Sequence, residues 1–184
     1  AELQAAGEAY DTVTYVAEGG RRGTFVHDPA GEPESIPIER PNEYLELPID
    51  QTAARRALIL KIHGAIDRKN SDADSYVITE DHFINFAPHM DVAAIAPAPL
   101  LAFLKRSYFL FLGYDLSAWN LRTVLQRVFS PRRGYAWAVE PASTAVSEKF
   151  WNRHNVDILD LSLEQFVAGL SERLQNLPPA GGRP

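Results

Sequence analysis

The sequence has 184 residues, a length that allows one domain with a sizeable hydrophobic core. It contains no cysteine, which excludes disulfides and thiolate zinc sites and fits a reducing, cytoplasmic location. The formal charge of −6, basic residues that cluster only in pairs and the lack of a long apolar run argue against nucleic-acid and membrane partners.

The first 57 residues are rich in glycine and proline, which favours turns and short extended pieces over long helices. Residues 11–16 are β-branched and aromatic and therefore predict a strand. The sequence starts at Ala1 without an initiator methionine or a signal peptide, so we expect a trimmed rather than a native start.

The pattern changes at residue 57. Residues 57–62 form an apolar run typical of a strand buried on both faces, and residues 75–78 predict a second strand after a polar loop. Thr79 then predicts a helix N-cap, with Glu80 and Asp81 in the first turn, and we expect that helix to end near Pro88.

The remaining sequence alternates between predicted helices (100–106, 118–128, 143–154 and 162 onward) and predicted strands (108–112, 135–139 and 156–159). Ser143 and Ser162 are the expected caps of the last two helices, and the final helix has one apolar face. Alternating strands and helices predict βαβ crossovers around a mainly parallel sheet, which binds ligands at the carboxyl ends of its strands. We expect residues 178–184 to be a disordered tail.

His63 follows an apolar strand and precedes Gly64, which places it at the predicted carboxyl edge of the sheet. An imidazole there can act as a general base, because it titrates near neutral pH. Gly64 would allow a ligand or a second backbone to approach closely. The alternative is that His63 only hydrogen-bonds a loop at the strand end.

A second candidate is the turn after the strand at residues 108–112, where Gly113 precedes a predicted helix N-terminus. Free backbone N–H groups at such a terminus favour anions. Tyr114, Asp115 and Asn120 could form hydrogen bonds with a ribose or with the edge of a base. A purely structural turn remains the alternative. Asp81, His82 and His89 form only a loose group, so we predict no metal site.

Three segments together resemble the bacterial sirtuin-like domain family, in the branch that consumes NAD in anti-phage defence. They are residues 59–68 (ILKIHGAIDR), 74–83 (DSYVITEDHF) and 109–122 (FLFLGYDLSAWNLR), and their order and spacing agree over roughly residues 8–175. The resemblance implies a Rossmann-like three-layer α/β domain, with NAD or ADP-ribose as ligand and NAD as substrate.

The resemblance also implies residue roles. His63 matches the histidine that assists attack at the nicotinamide ribose, and Gly113, Tyr114 and Asp115 match the loop that touches the cofactor. The loop at Glu140 and the turn at Ser162 would lie near the adenosine end.

The sequence departs from the family at three places. The Gly-rich phosphate loop and the Thr-Thr-Asn segment with the catalytic asparagine do not appear in these 184 residues. We therefore expect residues 1–177 to be the C-terminal portion of the domain, loop-rich to residue 57, and to be nearly inactive alone. Ala118 stands where the family usually has an acid. The four-cysteine zinc module of lysine deacetylases is also lacking, so we do not expect deacetylation.

The resulting hypothesis is an NAD glycohydrolase-type domain of a larger defence protein, completed by an N-terminal half. Two alternatives stay open. One is a module that senses NAD or ADP-ribose without cleaving it, and the other is a scaffold domain for oligomerisation. The sequence leaves a homo-oligomer possible and does not identify the trigger.

Overall fold

The computed structural model describes residues 2–49, 56–66, 74–86, 97–114 and 135–177. These residues form two compact units, one up to Lys105 and one from Arg106 onward. Within the described residues, no helix is long and apolar enough to cross a membrane. The predicted helix at 118–128 and the predicted tail at 178–184 lie outside them.

The first unit is built on a mixed sheet. A short helix α1 (Glu2–Ala5) precedes strands β1 (Tyr10–Tyr15), β2 (Phe25–Asp28), β3 (Ile36–Ile38) and β4 (Ala57–Lys61), in the spatial order β3-β2-β1-β4. β1 pairs antiparallel with β2 and parallel with β4, while β2 pairs antiparallel with β3. The parallel pair brings the carboxyl ends of β1 and β4 to the same edge.

A two-stranded ladder follows the sheet. β5 (Gly64–Ala65) pairs antiparallel with β6 (Ser75–Tyr76), and the helices α2 (Glu80–Phe86) and α3 (Ala98–Arg106) come next. Thr79 caps α2 as predicted, since its hydroxyl accepts a hydrogen bond from the backbone N–H of His82 at 3.1 Å.

The core of the first unit lies on one face of β1 and β2. Period-two alternation directs Val13 and Tyr15 of β1 to the same face, where the Tyr15 and Phe25 rings meet edge to face at 5.5 Å. The buried hydrophobic residues of this cluster come from strands, loops and α3: Val13, Tyr15, Phe25, Ile38, Leu47, Val77 and Leu100.

Two predictions for this unit need correction. β4 is half-buried or exposed along its length and is the outer strand of the described sheet, so burial on both faces was wrong. A continuous apolar run shows that a strand can be buried, but it does not show whether other elements pack on both of its faces. The predicted strand at 75–78 is the shorter β6, and it pairs antiparallel with β5 instead of continuing a parallel alternation.

The second unit contains a fully parallel sheet. Strands β7 (Phe109–Phe111), β8 (Ala136–Val139) and β9 (Val156–Leu159) pair in the order β7-β8-β9, with helix α4 (Ala145–Asn152) connecting β8 to β9. Helix α5 (Leu163–Gln175) ends the described chain. The α/β class and a parallel sheet are confirmed.

The helix caps of this unit are partly as predicted. Ser162 caps α5 and forms a capping box with Gln165, because each side chain accepts a hydrogen bond from the other residue's backbone N–H. The cap of α4 is Thr144, whose hydroxyl accepts from the N–H of Ser147, so the prediction of Ser143 was one residue early. Two adjacent hydroxyl residues both fit the cap pattern, and only backbone geometry selects between them.

Candidate functional site

His63 lies at the carboxyl end of β4, as the sequence predicted. The strand ends at Lys61, and Ile62 and His63 form the turn into β5. The carbonyl of His63 accepts a hydrogen bond from the N–H of Val77 at 2.9 Å, which fixes the backbone at this position. Within the described sheet, β4 is the outermost strand.

The environment of His63 favours a neutral imidazole. The residue is half-buried, and this burial lowers the pKa of its side chain below the usual value of 6.5. A neutral imidazole is the form that can accept a proton, so the group is in its basic form at neutral pH.

Gly64 is required by a backbone contact next to His63. Its φ of +79° is in the left-handed region, and a Cβ at this position would overlap the carbonyl of Ser75, whose carbon would be 2.8 Å away. The sequence allowed either a ligand or a second backbone to approach Gly64. The approaching group in the structure is the β6 backbone.

Ser75 also ties this ladder to the loop that follows β1. Its hydroxyl accepts hydrogen bonds from the N–H of Ala17 at 2.6 Å and from the N–H of Glu18 at 3.1 Å. The turn that carries His63 is therefore held from two sides, by its own strand β4 and by the anchored β6. Such anchoring suits a residue that must keep one position during a reaction.

A buried polar network in the first unit was missed at the sequence level. Asp11 is 0% exposed and His27 is 1% exposed, and the carboxylate of Asp11 contacts His27 Nε2 at 3.1 Å. His27 Nδ1 lies 2.5 Å from the Tyr44 hydroxyl, while the backbone N–H of Ala30 donates to Asp11 at 2.9 Å. Arg56 Nε lies 3.5 Å from the same carboxylate.

The signal for this network was period-two alternation. Asp11 shares the core-facing side of β1 with Val13 and Tyr15, and His27 shares the core-facing side of β2 with Phe25. Burial, followed by the charges of Glu46 and Asp11, raises the pKa of Tyr44 to about 12. The Tyr44 hydroxyl therefore stays protonated at neutral pH.

The second unit gathers three of the predicted site residues at one edge of its sheet. Gly113, Glu140 and the turn before Ser162 follow β7, β8 and β9, and the carboxyl ends of parallel strands meet at one edge. Gly113 has a φ of +67°, and a Cβ there would lie 4.0 Å from Leu163 at the start of α5. Tyr114 is exposed beside Gly113.

Hydrogen bonds join the segments that follow β8 and β9 at this edge. The N–H of Glu140 donates to the carbonyl of Leu159, and the N–H of Ala142 donates to the Asp160 carboxylate at 2.8 Å. Asp160 was not predicted as a site residue, although its place directly after the last strand was a usable signal. Two other predicted residues, Asp115 and Asn120, lie outside the described residues.

The N-terminus of α5 is already occupied by its own side chains. Ser162 uses its hydroxyl and its N–H in the capping box, and Glu164 adds a carboxylate in the first turn. Hydrogen bonds from the backbone of Glu164 and from Ser162 lower the pKa of the Glu164 carboxyl. A negative charge in the first turn makes this helix end less favourable for a second anion.

No group of three or more His, Cys, Asp or Glu side chains that could hold a metal occurs in the part of the chain that the structure describes. Neither a curated protein nor a solved structure matches the chain.

One family model does match. The SIR2-like domain model aligns with residues 23–159, which is well over half of the chain. The aligned range includes His63, Gly64, Gly113 and Glu140, whereas Ser162 lies beyond it. The chain therefore belongs to the SIR2-like domain family.

Proposed function

We propose that this domain cleaves the N-glycosidic bond of NAD. Membership in the SIR2-like family carries the proposal, because it indicates an NAD-related function. The half-buried His63, at the carboxyl end of a strand and with a lowered pKa, is the group of the first unit best suited to act as a base.

In the proposed reaction, the bond between C1′ of the ribose and the nicotinamide nitrogen breaks, and its electron pair leaves with neutral nicotinamide. Water adds to C1′ through an oxocarbenium-like state, and His63 accepts the proton that the water loses. The products are nicotinamide, ADP-ribose and a proton. Fixed polar groups around the positive ribose supply the remaining stabilisation.

For cofactor binding we propose residues of each unit separately: the backbone at Gly64 in the first unit, and Gly113, Tyr114, Glu140 and Ser162 at the sheet edge of the second. Asp115 and Asn120 are also proposed to contribute hydrogen bonds, Asp115 because the resemblance implies it and Asn120 because it follows the Gly113 turn in the sequence. The space beside Gly113 is open, since a Cβ there would have its nearest neighbour 4.0 Å away, and Tyr114 is exposed, so a ligand has room at that edge.

We further propose that the reaction depletes NAD in bacterial anti-phage defence, and that a Gly-rich loop and a catalytic asparagine complete the site. These 184 residues contain neither feature. A second candidate, a module that binds NAD or ADP-ribose without cleaving it, would need neither feature.

Nicotinamide release and ligand binding separate these candidates. The chain is tested alone and joined to a segment that supplies the Gly-rich loop and the asparagine, with NAD and ADP-ribose as ligands. Cleavage by the joined protein that is lost in His63→Ala supports the enzyme. Tight binding without cleavage supports the sensing module, and no binding of either ligand contradicts both.

A matched control is His154→Ala. His154 is an exposed histidine after α4, whose Nδ1 hydrogen-bonds to the carbonyl of Phe150 at 2.9 Å. The proposal expects this variant to cleave NAD at the normal rate.

A further inference from the structure

The first unit contains a cavity of about 220 Å³ at the carboxyl end of β1. Liquid water takes about 30 Å³ per molecule, so the cavity has room for about seven waters or one substituted six-membered ring. His63 is not part of its wall. The lining residues come from the end of β1, the loop after it, β6 and α2: Tyr15, Ala17, Glu18, Arg22, Tyr76, Val77 and His82.

One lining residue has a buried polar atom without a hydrogen-bond partner among the described residues. His82 Nδ1 is inaccessible to solvent and has no hydrogen-bond partner among the described residues. The backbone N–H of His82 is used by the Thr79 cap, but the side chain is not part of that cap. A buried nitrogen without a partner costs free energy, so a ligand gains affinity if the imidazole rotates to present this nitrogen to the cavity.

The cavity also has two opposite charges that are not paired with each other. The structure records no ion pair between Glu18 and Arg22 in the part of the chain that it describes. The charge of Arg22 reaches into the site, because it partly offsets the effect of burial on the pKa of the Tyr15 hydroxyl. The rings of Tyr15 and Tyr76 supply flat apolar wall.

We infer that this cavity binds a small ring-sized organic acid that also carries a hydrogen-bond donor. The guanidinium of Arg22 pairs with the anionic group, the carboxylate of Glu18 accepts from the donor, and His82 Nδ1 hydrogen-bonds to the ligand. The binding site is separate from the proposed NAD reaction and does not depend on it.

The oxyanion can be a carboxylate or a phosphate ester, since Arg binds both. Three probes separate these sources and test the role of charge. They are 4-aminobenzoate, 4-aminophenyl phosphate and the neutral isostere 4-aminobenzamide. Each is titrated into the whole 184-residue chain while the imidazole NMR signals of its five histidines are followed.

We expect at least one of the two anions to bind and to shift the His82 signals, and 4-aminobenzamide to bind more weakly. Arg22→Met should weaken anion binding about tenfold, the usual effect of losing a charged hydrogen bond. Arg21→Met is the matched control, since Arg21 is an exposed neighbour outside the cavity lining, and it should bind as wild type does. His82→Leu should weaken binding, and His82→Gln should restore part of it.

The preferred anion identifies the source, carboxylate or phosphate ester. The inference is overturned if neither anion moves the His82 signals at millimolar concentration, if the amide binds as tightly as the anions, or if Arg22→Met binds as well as Arg21→Met. Arg22 is exposed on a turn, so its replacement should leave the fold intact, and backbone NMR spectra check this directly.

Discussion

At the scale of single residues, the close approach of Gly64 to Ser75 predicts that a side chain at position 64 destabilises the fold. Gly64→Ala adds a Cβ that overlaps the Ser75 carbonyl and also forces alanine into a positive φ. A positive φ alone costs about 1 to 2 kcal/mol, and displacing the β6 backbone adds to this. We therefore expect the free energy of unfolding to fall by more than about 2 kcal/mol, measured by urea denaturation.

The control is Gly23→Ala. Gly23 has a similar φ of +87°, but a Cβ there would meet nothing within 4 Å. This variant isolates the cost of the backbone conformation and should lose less stability than Gly64→Ala. Equal losses in the two variants would contradict the close approach of β5 and β6.

A pH dependence follows from the lowered pKa of His63. Between this pKa and the unfolded value of about 6.5, the unfolded chain binds more protons at this residue than the folded chain does. The contribution of His63 to stability is therefore complete above pH 6.5 and declines as pH falls below it. We expect the stability of wild type relative to His63→Ala to decrease from pH 7.5 to pH 5.5, as measured by denaturant unfolding. A constant or rising difference would contradict the burial of this imidazole.

At the scale of elements, stability measurements can tell which of two adjacent hydroxyl residues, Ser143 or Thr144, caps α4. Thr144→Ala removes the acceptor for the N–H of Ser147 and should cost about 1 kcal/mol. Ser143→Ala removes only an exposed hydrogen bond to Glu148 and should cost less. Thermal unfolding of both variants tests this order. A larger loss of stability in Ser143→Ala than in Thr144→Ala would show that Ser143 is the cap, as the sequence predicted.

The buried network around Asp11 links β1, β2 and the loop that carries Tyr44. Asp11→Asn removes the charge that faces His27 and Arg56, and it also turns an acceptor into a donor inside the core. Leaving a buried polar group without its hydrogen-bond partner costs about 1 to 3 kcal/mol, so we expect a loss of that order in urea denaturation.

The control for that loss is Asp157→Asn, a change at an exposed position of β9. Surface substitutions usually change stability by about 0.5 kcal/mol or less. If Asp11→Asn were no more destabilising than this control, the network would not contribute to the stability of the fold.

The elements differ in how far they could be predicted. The strand at 156–159 and the caps at Thr79 and Ser162 depend on local chemistry, and the sequence predicted them correctly. The ladder of β5 and β6 could not be predicted, because its partner strand lies across a loop and pairing is set by contacts distant in sequence. The Asp11 network was missed for the same reason, since Asp11 and His27 come together only when β1 pairs with β2.

At the scale of the whole molecule, the sequence predicted the positions of the candidate site residues but not the cavity. The position of His63 at a strand end and the gathering of Gly113, Glu140 and Ser162 at a sheet edge follow from the rule that ligands bind at carboxyl ends of parallel strands. The cavity beside Arg22 and His82 did not follow from any such rule, because a cavity depends on how loops and α2 pack.

Nicotinamide release from NAD tests the central claim most directly. It is measured for this chain joined to a Gly-rich loop and asparagine segment, as wild type, as His63→Ala and as His154→Ala, alongside thermal unfolding of each. Losing a positioned general base usually costs about 10² to 10⁴-fold in rate, so we expect that loss in His63→Ala alone, with unfolding close to wild type near neutral pH. Full-rate cleavage by a normally folded His63→Ala variant would contradict the account.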